Sequence, residues 1–229
     1  YCPAGTSVTP TFESHPCTPG FYCPQGTQEE LPCLEGTYNP HPGRSSEADC
    51  LPCPPGMYCG ATSLTRPSGL CAPGHWCPER STSPQQNPCQ PTTYRRFPGA
   101  SSREACATCP SGWYCPNEGM ENPEICPVGK YCLTGVDEPE PCPPGSFGNT
   151  TGLRSAEECA PCTPGYYCDT PGLTAPRGPC KAGYYCILKA TNPTAEGQEY
   201  AGGKCPAGGF CPAGSSQATP CPAGTYSNI

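Results

Sequence analysis

The sequence contains few of the residues that build a large hydrophobic core. Only 34% of the 229 residues are hydrophobic even when the cysteines are counted, and Met and Trp occur only twice each. The chain also lacks an apolar run of roughly 18 residues, the length that a membrane-spanning helix needs. Because so little apolar mass cannot fill one large core, we expect several small modules in a row rather than a single domain.

Basic residues and histidines are scarce as well. The chain has 12 Lys and Arg against 19 Asp and Glu, a net charge of −7. This balance argues against nucleic acid or an anionic membrane surface as a partner. The histidines, His15, His41 and His75, lie in Pro- or Gly-rich stretches with no recurring Ser or acid beside them. We therefore predict a protein that is not an enzyme, with no catalytic residues, no cofactor and no metal site.

Cysteine, proline and glycine are abundant instead, with 24, 36 and 28 residues. This cysteine content is typical of a disulfide scaffold, and disulfides persist in oxidising compartments. We therefore expect a secreted or cell-surface location, with no direct membrane insertion of this segment. The chain begins inside one repeat and ends inside another, so we also expect it to continue at both ends.

The cysteine spacing repeats along the chain. Four units, 54 or 55 residues apart, start at Cys17, Cys71, Cys126 and Cys180, a regularity that indicates a repeat array. The gap of 18 residues after Cys186 breaks the pattern and predicts an inserted loop over 187–204. The predicted domains are a partial N-terminal repeat (1–32), cysteine-rich repeats at 33–88, 89–141 and 142–204, and an extra pair module with the start of another repeat (205–229).

Eight pairs of cysteines have five residues between them and share the pattern Cys-x-x-Gly-x-aromatic-Cys, as in CPPGMYC at 53–59. Pro before the Gly fixes φ and the Gly supplies a positive φ, so this pattern predicts a type II turn. Because the aromatic residues recur at one position, we expect them to pack over disulfides rather than bind a ligand. They are Tyr22, Tyr58, Trp76, Tyr114, Tyr131, Tyr167, Tyr185 and Phe210.

The three long gaps between cysteines, 34–49, 90–105 and 143–158, resemble one another. Each has Gly-Thr/Ser-aromatic or a variant of it, then a second Gly, and then a Ser four residues before the closing cysteine, at Ser46, Ser102 and Ser155. These serines are placed to start a one-turn helix, and Ser155 with Glu158 fits a capping box. The predicted fold class is small disulfide-rich repeats: an elongated ladder of short β-hairpins and turns with almost no helix.

The combination of Cys-Pro-x-Gly-x-Tyr with Cys-x2-Cys-Pro-x-Gly-x-Tyr-Cys resembles the ephrin-receptor-like cysteine-rich repeat, which is related in layout to tumour necrosis factor receptor-type modules. The resemblance covers nearly the whole chain. It implies an elongated ladder of disulfide modules, as found in large surface proteins of protists and algae, including mastigoneme proteins, and in animal receptors and matrix proteins. It indicates the fold more firmly than the function.

Six cysteines allow fifteen pairings, so spacing alone does not decide the connectivity. The resemblance implies that the long gaps close on themselves, as Cys33–Cys50, Cys89–Cys106 and Cys142–Cys159. It further implies crossed bonds between successive short pairs: Cys53–Cys71 with Cys59–Cys77, Cys109–Cys126 with Cys115–Cys132, and Cys162–Cys180 with Cys168–Cys186. No partner is assigned to Cys2, Cys17, Cys23, Cys205, Cys211 or Cys221, and a partner for Cys221 is expected beyond Ile229.

Metal binding is the less favoured interpretation of the same cysteines. The Cys-x2-Cys pairs, such as Cys50 with Cys53, lack a second pair at zinc-ribbon spacing and the βαβ context of a redox site. The acidic stretch 137–140 has no EF-hand spacing, so we interpret it as a solvated loop rather than a calcium site.

One N-glycosylation sequon is present, Asn149-Thr150-Thr151, in a loop flanked by Gly. We predict that Asn149 carries a glycan in a secreted protein, whereas Asn192 is excluded because Pro193 follows it. The sequence does not decide whether the many Ser, Thr and Pro residues carry O-linked sugars.

Two functions fit these features. The regular repeats favour a structural rod, stalk or filament that associates with itself or with other extracellular structural proteins. The alternative is a receptor or adhesion ectodomain that binds a protein ligand, for which 187–204 is the candidate region.

Overall fold

The computed structural model describes residues 16–198 and 201–226. Within these ranges the regular structure consists of short strands and three 3-10 turns, with no α-helix. The strands are β1 Phe21–Tyr22, β2 Leu31–Pro32, β3 Thr37–Tyr38, β4 Leu51–Pro52, β5 Met57–Tyr58, β6 Gly69–Leu70, β7 His75–Trp76, β8 Asn87–Pro88, β9 Thr93–Tyr94, β10 Ala107–Thr108, β11 Trp113–Tyr114, β12 Glu124–Ile125, β13 Lys130–Tyr131, β14 Glu140–Pro141, β15 Ser146–Phe147, β16 Ala160–Pro161, β17 Tyr166–Tyr167, β18 Gly178–Pro179, β19 Tyr184–Cys186, β20 Gly202–Lys204, β21 Gly209–Phe210 and β22 Thr219–Pro220.

Each odd-numbered strand pairs antiparallel with the strand that follows it, which gives eleven two-stranded hairpins in the described residues. In the hairpin of β5 and β6, for example, Met57 lies opposite Leu70 and Tyr58 opposite Gly69. The predicted fold class is confirmed in that the chain is built of small disulfide-rich repeats of short hairpins.

A type II turn precedes the first strand of each hairpin, as the Cys-x-x-Gly pattern predicted. In the turn at 54–57 the Met57 N–H donates to the Pro54 carbonyl oxygen over 3.1 Å. Gly56 has a φ of 84°, a conformation that costs a residue with a side chain roughly 1–2 kcal/mol. The long-gap segments begin with the same turn, so one turn type starts every module.

We number three modules in each repeat by their turns. The first begins at Cys33, Cys89 or Cys142 and contains a long gap; the second begins at Cys53, Cys109 or Cys162; the third begins at Cys71, Cys126 or Cys180. By its contacts the chain divides into two compact units, one running to Thr108 with Asn117–Pro123 added, the other comprising Cys109–Pro116 and the residues from Glu124 onwards. These units cross the predicted domain boundaries, which stay predictions.

Backbone hydrogen bonds join successive modules inside each unit. In the first unit the turn glycines Gly36 and Gly56 donate their N–H groups to the carbonyl oxygens of Cys59 and Cys77, over 2.9 and 2.8 Å. In the second unit Gly145 and Gly165 make the same bonds to Cys168 and Cys186, each over 2.8 Å. The modules of a unit therefore share one hydrogen-bonded spine, although each sheet has only two strands.

The 3-10 turns at Glu47–Asp49, Arg103–Ala105 and Ala156–Glu158 lie where one-turn helices were predicted. The capping box, however, is at Ser46 and Asp49, not at Ser155 and Glu158. Ser155 makes no side-chain cap bond; its hydroxyl bonds the Glu157 carboxylate and lowers the pKa of Glu157. Glu158 instead accepts a hydrogen bond from the Arg154 N–H over 2.7 Å.

Half-cystines form most of the buried interior. Tyr131 packs against the cluster of Cys142, Leu153 and Cys159, and Tyr167 packs against the cluster that contains Cys180 and Cys186. In both cases the aromatic residue covers the disulfide of the next module. Within the described residues, no helix has the length and apolar character needed to cross a membrane.

Candidate functional site

The site that defines this chain is the turn closed by its own disulfide. Every Cys-x5-Cys pair in the described residues is bonded internally, and in the second module of the first repeat the Cα atoms of Cys53 and Cys59 are 5.9 Å apart. The pairs are Cys17–Cys23, Cys53–Cys59, Cys71–Cys77, Cys109–Cys115, Cys126–Cys132, Cys162–Cys168, Cys180–Cys186 and Cys205–Cys211. The structure thereby contradicts the crossed bonds Cys53–Cys71, Cys59–Cys77, Cys109–Cys126, Cys115–Cys132, Cys162–Cys180 and Cys168–Cys186.

The reason for the difference is the turn itself. A type II turn reverses the chain direction after Cys53, and the two residues of β5 then lead back towards Cys53. Cys59 then lies opposite Cys53, within the usual Cα separation of a disulfide. Crossed pairing would require each turn to present its two cysteines to the neighbouring turn instead.

The long gaps close as the resemblance implied, with Cys33 bonded to Cys50, Cys89 to Cys106 and Cys142 to Cys159. Asn39 takes the place of the second cysteine in the first of these modules. It is fully buried, its Nδ2 donates to the Phe21 carbonyl oxygen and its Oδ1 accepts the His41 N–H. Cys221 is unpaired within the described part of the chain, and Cys2 lies outside it.

Close backbone approaches fix the spacing of the modules. A Cβ at Gly56 would lie 2.6 Å from the carbonyl oxygen of Gly99, and one at Gly165 would lie 2.3 Å from that of Gly214. Gly183 also has a positive φ, yet a Cβ there would meet nothing within 4 Å. Some turn glycines are therefore required by conformation alone and others also by contact with the module two steps on.

Two tyrosines of the recurring aromatic set donate to a carboxylate on the paired strand. Tyr114 Oη donates to Glu124 over 2.6 Å, and Tyr131 Oη donates to Glu140 over 2.5 Å. These hydrogen bonds raise the pKa of both phenols above the ordinary value. Seven of the eight recurring aromatics are half-buried and Phe210 is exposed, which fits packing between modules rather than a common ligand site.

The insertion is folded onto its own module. Its Ala190, Ala195 and Ala201 are buried against Cys180 and Cys186. Gln198 Oε1 accepts the Thr191 N–H over 2.8 Å, and Asn192 Oδ1 accepts from both the N–H and the hydroxyl of Thr194. Ile187 and Leu188, at the start of this loop, are 42% and 47% exposed.

The remaining candidate residues are dispersed. Asn149 and both following threonines are exposed. His41 is exposed and His75 is half-buried, with its Nδ1 3.0 Å from the Pro73 carbonyl oxygen; His15 lies outside the described residues. Asp137 and Glu138 are exposed, whereas Glu140 accepts the Tyr131 bond described above.

Metal-ligand atoms come together at Cys17, Cys23 and Glu30. The two sulfurs are bonded to each other, and the Glu30 carboxylate accepts from the Thr18 N–H and hydroxyl. In the Cys-x2-Cys pair at 50 and 53, Cys50 is bonded to Cys33 and Cys53 to Cys59. None of these thiols is available as a thiolate ligand.

Sequence reasoning missed one recurring feature. In the second module of each repeat, the residue after the turn glycine and the residue before the next turn form an apolar pair across the hairpin, in which every member except the half-buried Met57 is exposed. The pairs are Met57 with Leu70, Trp113 with Ile125 and Tyr166 with Pro179. The sequence could have indicated these pairs, because a large apolar residue lies between the turn glycine and the recurring aromatic in each second module.

No family model matches the chain. A stretch of 125 residues, 55% of the chain, is 30% identical to part of ABC transporter G family member 28 of Arabidopsis thaliana. This stretch spans only 9% of the length of that protein, so the similarity concerns one region of a much longer polypeptide.

Proposed function

We propose that the chain is a non-enzymatic structural segment of an extracellular protein, in which stacked disulfide modules form a rod, stalk or filament of the mastigoneme or surface-coat kind. The observation that carries the proposal is the spine of backbone hydrogen bonds inside each unit. Within a unit it links modules to their neighbours without relying on particular side chains, so such an array can be extended by adding repeats. The disulfide-rich hairpin modules are of the extracellular type.

Electron microscopy of the purified full-length chain tests this proposal. If stacked modules form a rod, the particles should be narrow, straight and of one length. Reductant should abolish this shape. Compact round particles, or chains bent at random, would contradict a structural role.

A receptor or adhesion ectodomain is the second candidate, and the insertion favours it. The segment 187–204 interrupts the repeat, is folded, and exposes Ile187 and Leu188 next to each other. The similarity to part of a transporter supports the idea that such a segment serves within a larger protein of another function. Flanking sequence discriminates the two: further repeats on both sides favour a filament, and a transmembrane helix with a kinase domain favours a receptor.

Glycosylation at Asn149 belongs to the same proposal. The hydrogen bonds from Gly148 N–H to Leu173 and from Gly152 N–H to Cys126 fix the loop on both sides, while the sequon itself is exposed. Secretion from eukaryotic cells should give a product whose mass falls on treatment with an N-glycosidase. Asn149→Gln should abolish that change, and Asn192→Gln, at a site blocked by Pro193, should leave it intact.

A further inference from the structure

Each of the two compact units contains an open cavity at an equivalent place. The cavity of the first unit, of about 470 Å³, lies at the first module of the first repeat. The cavity of the second unit, of about 320 Å³, lies at the first module of the third repeat. Every residue that lines the first cavity has a counterpart 109 positions later that lines the second. Both volumes are typical of small-molecule sites, so the repeat builds one kind of cavity twice.

A basic residue of the third module borders each cavity, Arg80 in the first and Lys189 in the second. Both have a left-handed backbone, with φ of 63° and 56°, a conformation that disfavours residues with a Cβ. The second repeat has Gly135 at this position, nine residues after the first cysteine of the third module. Residues other than glycine are kept in this conformation chiefly where function requires them. The basic side chain therefore serves a purpose that the turn itself does not need.

The two basic groups are not used by the ion pairs of the fold. Both side chains are exposed, and the ion pairs among the described residues are those of Arg44 with Asp49 and of Arg177 with Asp169. The guanidinium group of Arg80 and the ammonium group of Lys189 can therefore donate hydrogen bonds to a ligand in the cavity.

The other lining groups supply an acceptor and an apolar wall. A carboxylate of the 3-10 turn lines each cavity, Glu47 in the first and Glu157 in the second. The half-cystine that closes the long gap and the proline two residues after it complete the wall. A hydroxyl group donates and accepts at once, so it suits a cation beside a carboxylate. The proline ring and the disulfide offer an apolar face to the C–H groups of a sugar ring.

We infer that each cavity binds a neutral, hydroxyl-rich sugar unit, such as one hexose of a glycan. The basic residue donates to the sugar hydroxyls, and the glutamate of the 3-10 turn accepts from them. An anionic ligand is opposed by this glutamate and by the net charge of −7. A rod needs no ligand, so sugar binding is an activity beyond the proposed structural function. Because the cavities are open and a hexose is small, we expect a dissociation constant on the order of 1 mM.

NMR titration of the full-length oxidised chain with D-glucose, D-galactose or D-mannose tests the inference. We expect the backbone amide signals of Ala48, Glu157 and Lys189 to shift as one of these sugars is added. The amide of Glu104, the counterpart of Ala48 in the repeat that lacks the basic residue, should not shift. D-glucuronic acid should bind more weakly than the best neutral hexose.

Arg80→Gly/Lys189→Gly removes both cations and introduces the residue that the turn favours. We expect the affinity for the hexose to fall about tenfold or more, while amide hydrogen exchange over 34–52 and 143–161 is no faster than in wild type. Ser63→Gly is the matched control, because Ser63 also has a positive φ, 58°, but lines neither cavity. This control should stay within about twofold of the wild-type affinity.

Glu47→Gln/Glu157→Gln keeps an acceptor but removes the charge of the carboxylates. Hexose binding should weaken about fivefold, and binding of D-glucuronic acid should become stronger. No amide shift with any of the neutral sugars at about a hundredfold excess over the expected dissociation constant would overturn the inference. Tighter binding of D-glucuronic acid than of the hexoses would also overturn it and make the cavities anion sites. Unchanged hexose affinity in the cation variant would contradict the role of Arg80 and Lys189.

Discussion

The loop 34–49 and the insertion 187–204 are similar in length but are held by different means. The first is closed by the Cys33–Cys50 bond, and its 3-10 turn buries no residue. The second lies between Cys186 and Cys205, which are bonded to Cys180 and Cys211 instead. It is held by the three-residue pairing of β19 with β20 and by its buried alanines.

This difference shows what the disulfides replace. A covalent closure restricts the unfolded chain, so the loop 34–49 buries no large apolar side chain and can remain polar, with Thr37 and Asn39 as its buried side chains. The insertion has no such closure and must bury small side chains and satisfy its backbone with Gln198 and Asn192. The fold therefore uses disulfides where it repeats and side-chain packing where it departs from the repeat.

Reduction of all disulfides should have the largest effect. Each closed loop of about 16 residues contributes roughly 3 kcal/mol, and a small apolar core cannot compensate for the loss of many of them. We expect reductant to abolish the circular dichroism signal of the folded chain, whereas the oxidised chain melts without one cooperative transition. A chelator alone should change nothing; unfolding by the chelator without reductant would show that metal, not disulfides, holds the fold.

Cys33→Ala/Cys50→Ala sharpens the contrast between the two loops. We expect a local loss of about 3 kcal/mol, seen as faster amide hydrogen exchange over residues 34–52. Exchange over 187–198 should be unchanged, because stability in a repeat array is shared mainly between neighbours. Equal acceleration in both loops would mean that the chain unfolds as one cooperative body.

Gly165→Ala and Gly183→Ala separate backbone conformation from contact between modules. Both glycines have a similar φ, 86° and 85°. The left-handed conformation should therefore cost either alanine variant roughly 1–2 kcal/mol of folding free energy. Only at Gly165 does the added Cβ meet the Gly214 carbonyl oxygen, at 2.3 Å. Thermal or denaturant unfolding should therefore show a clearly larger loss for Gly165→Ala, and equal losses would argue against the close stacking of modules.

Gln198→Ala should have the smallest effect of the set. It removes the acceptor of the part-buried Thr191 N–H and should cost about 1 kcal/mol, measured by hydrogen exchange in the insertion. Gln86→Ala removes the same kind of bond, to the Thr82 N–H, at an exposed place, where water replaces the lost acceptor. If the two variants lose the same stability, the insertion is not held by buried polar contacts.

The turns, the closed long gaps and the 3-10 positions could be predicted because each is encoded locally. Gly56 and its Pro-rich neighbours specify a turn, and the Ser four residues before each closing cysteine, such as Ser46 before Cys50, marks the start of a 3-10 turn. The internal pairing of Cys53 with Cys59 follows from that same turn, but the resemblance to receptor-type modules pointed to crossed bonds.

The spine could not be predicted from the sequence. Backbone groups such as the Gly56 N–H and the Cys77 carbonyl leave no residue pattern. The position of Ala190 and its neighbours in the insertion was also beyond prediction, because single small residues give no periodicity.

Non-reducing peptide mapping tests the central claim, that each turn closes on its own disulfide. Chymotryptic cleavage after Leu64 or Leu70 cuts the chain between the second and third modules of the first repeat. Internal pairing predicts that the peptide with Cys53 and Cys59 separates from the peptide with Cys71 and Cys77 before any reduction. Peptides that stay joined until reductant is added would contradict the internal pairing and restore the crossed bonds Cys53–Cys71 and Cys59–Cys77.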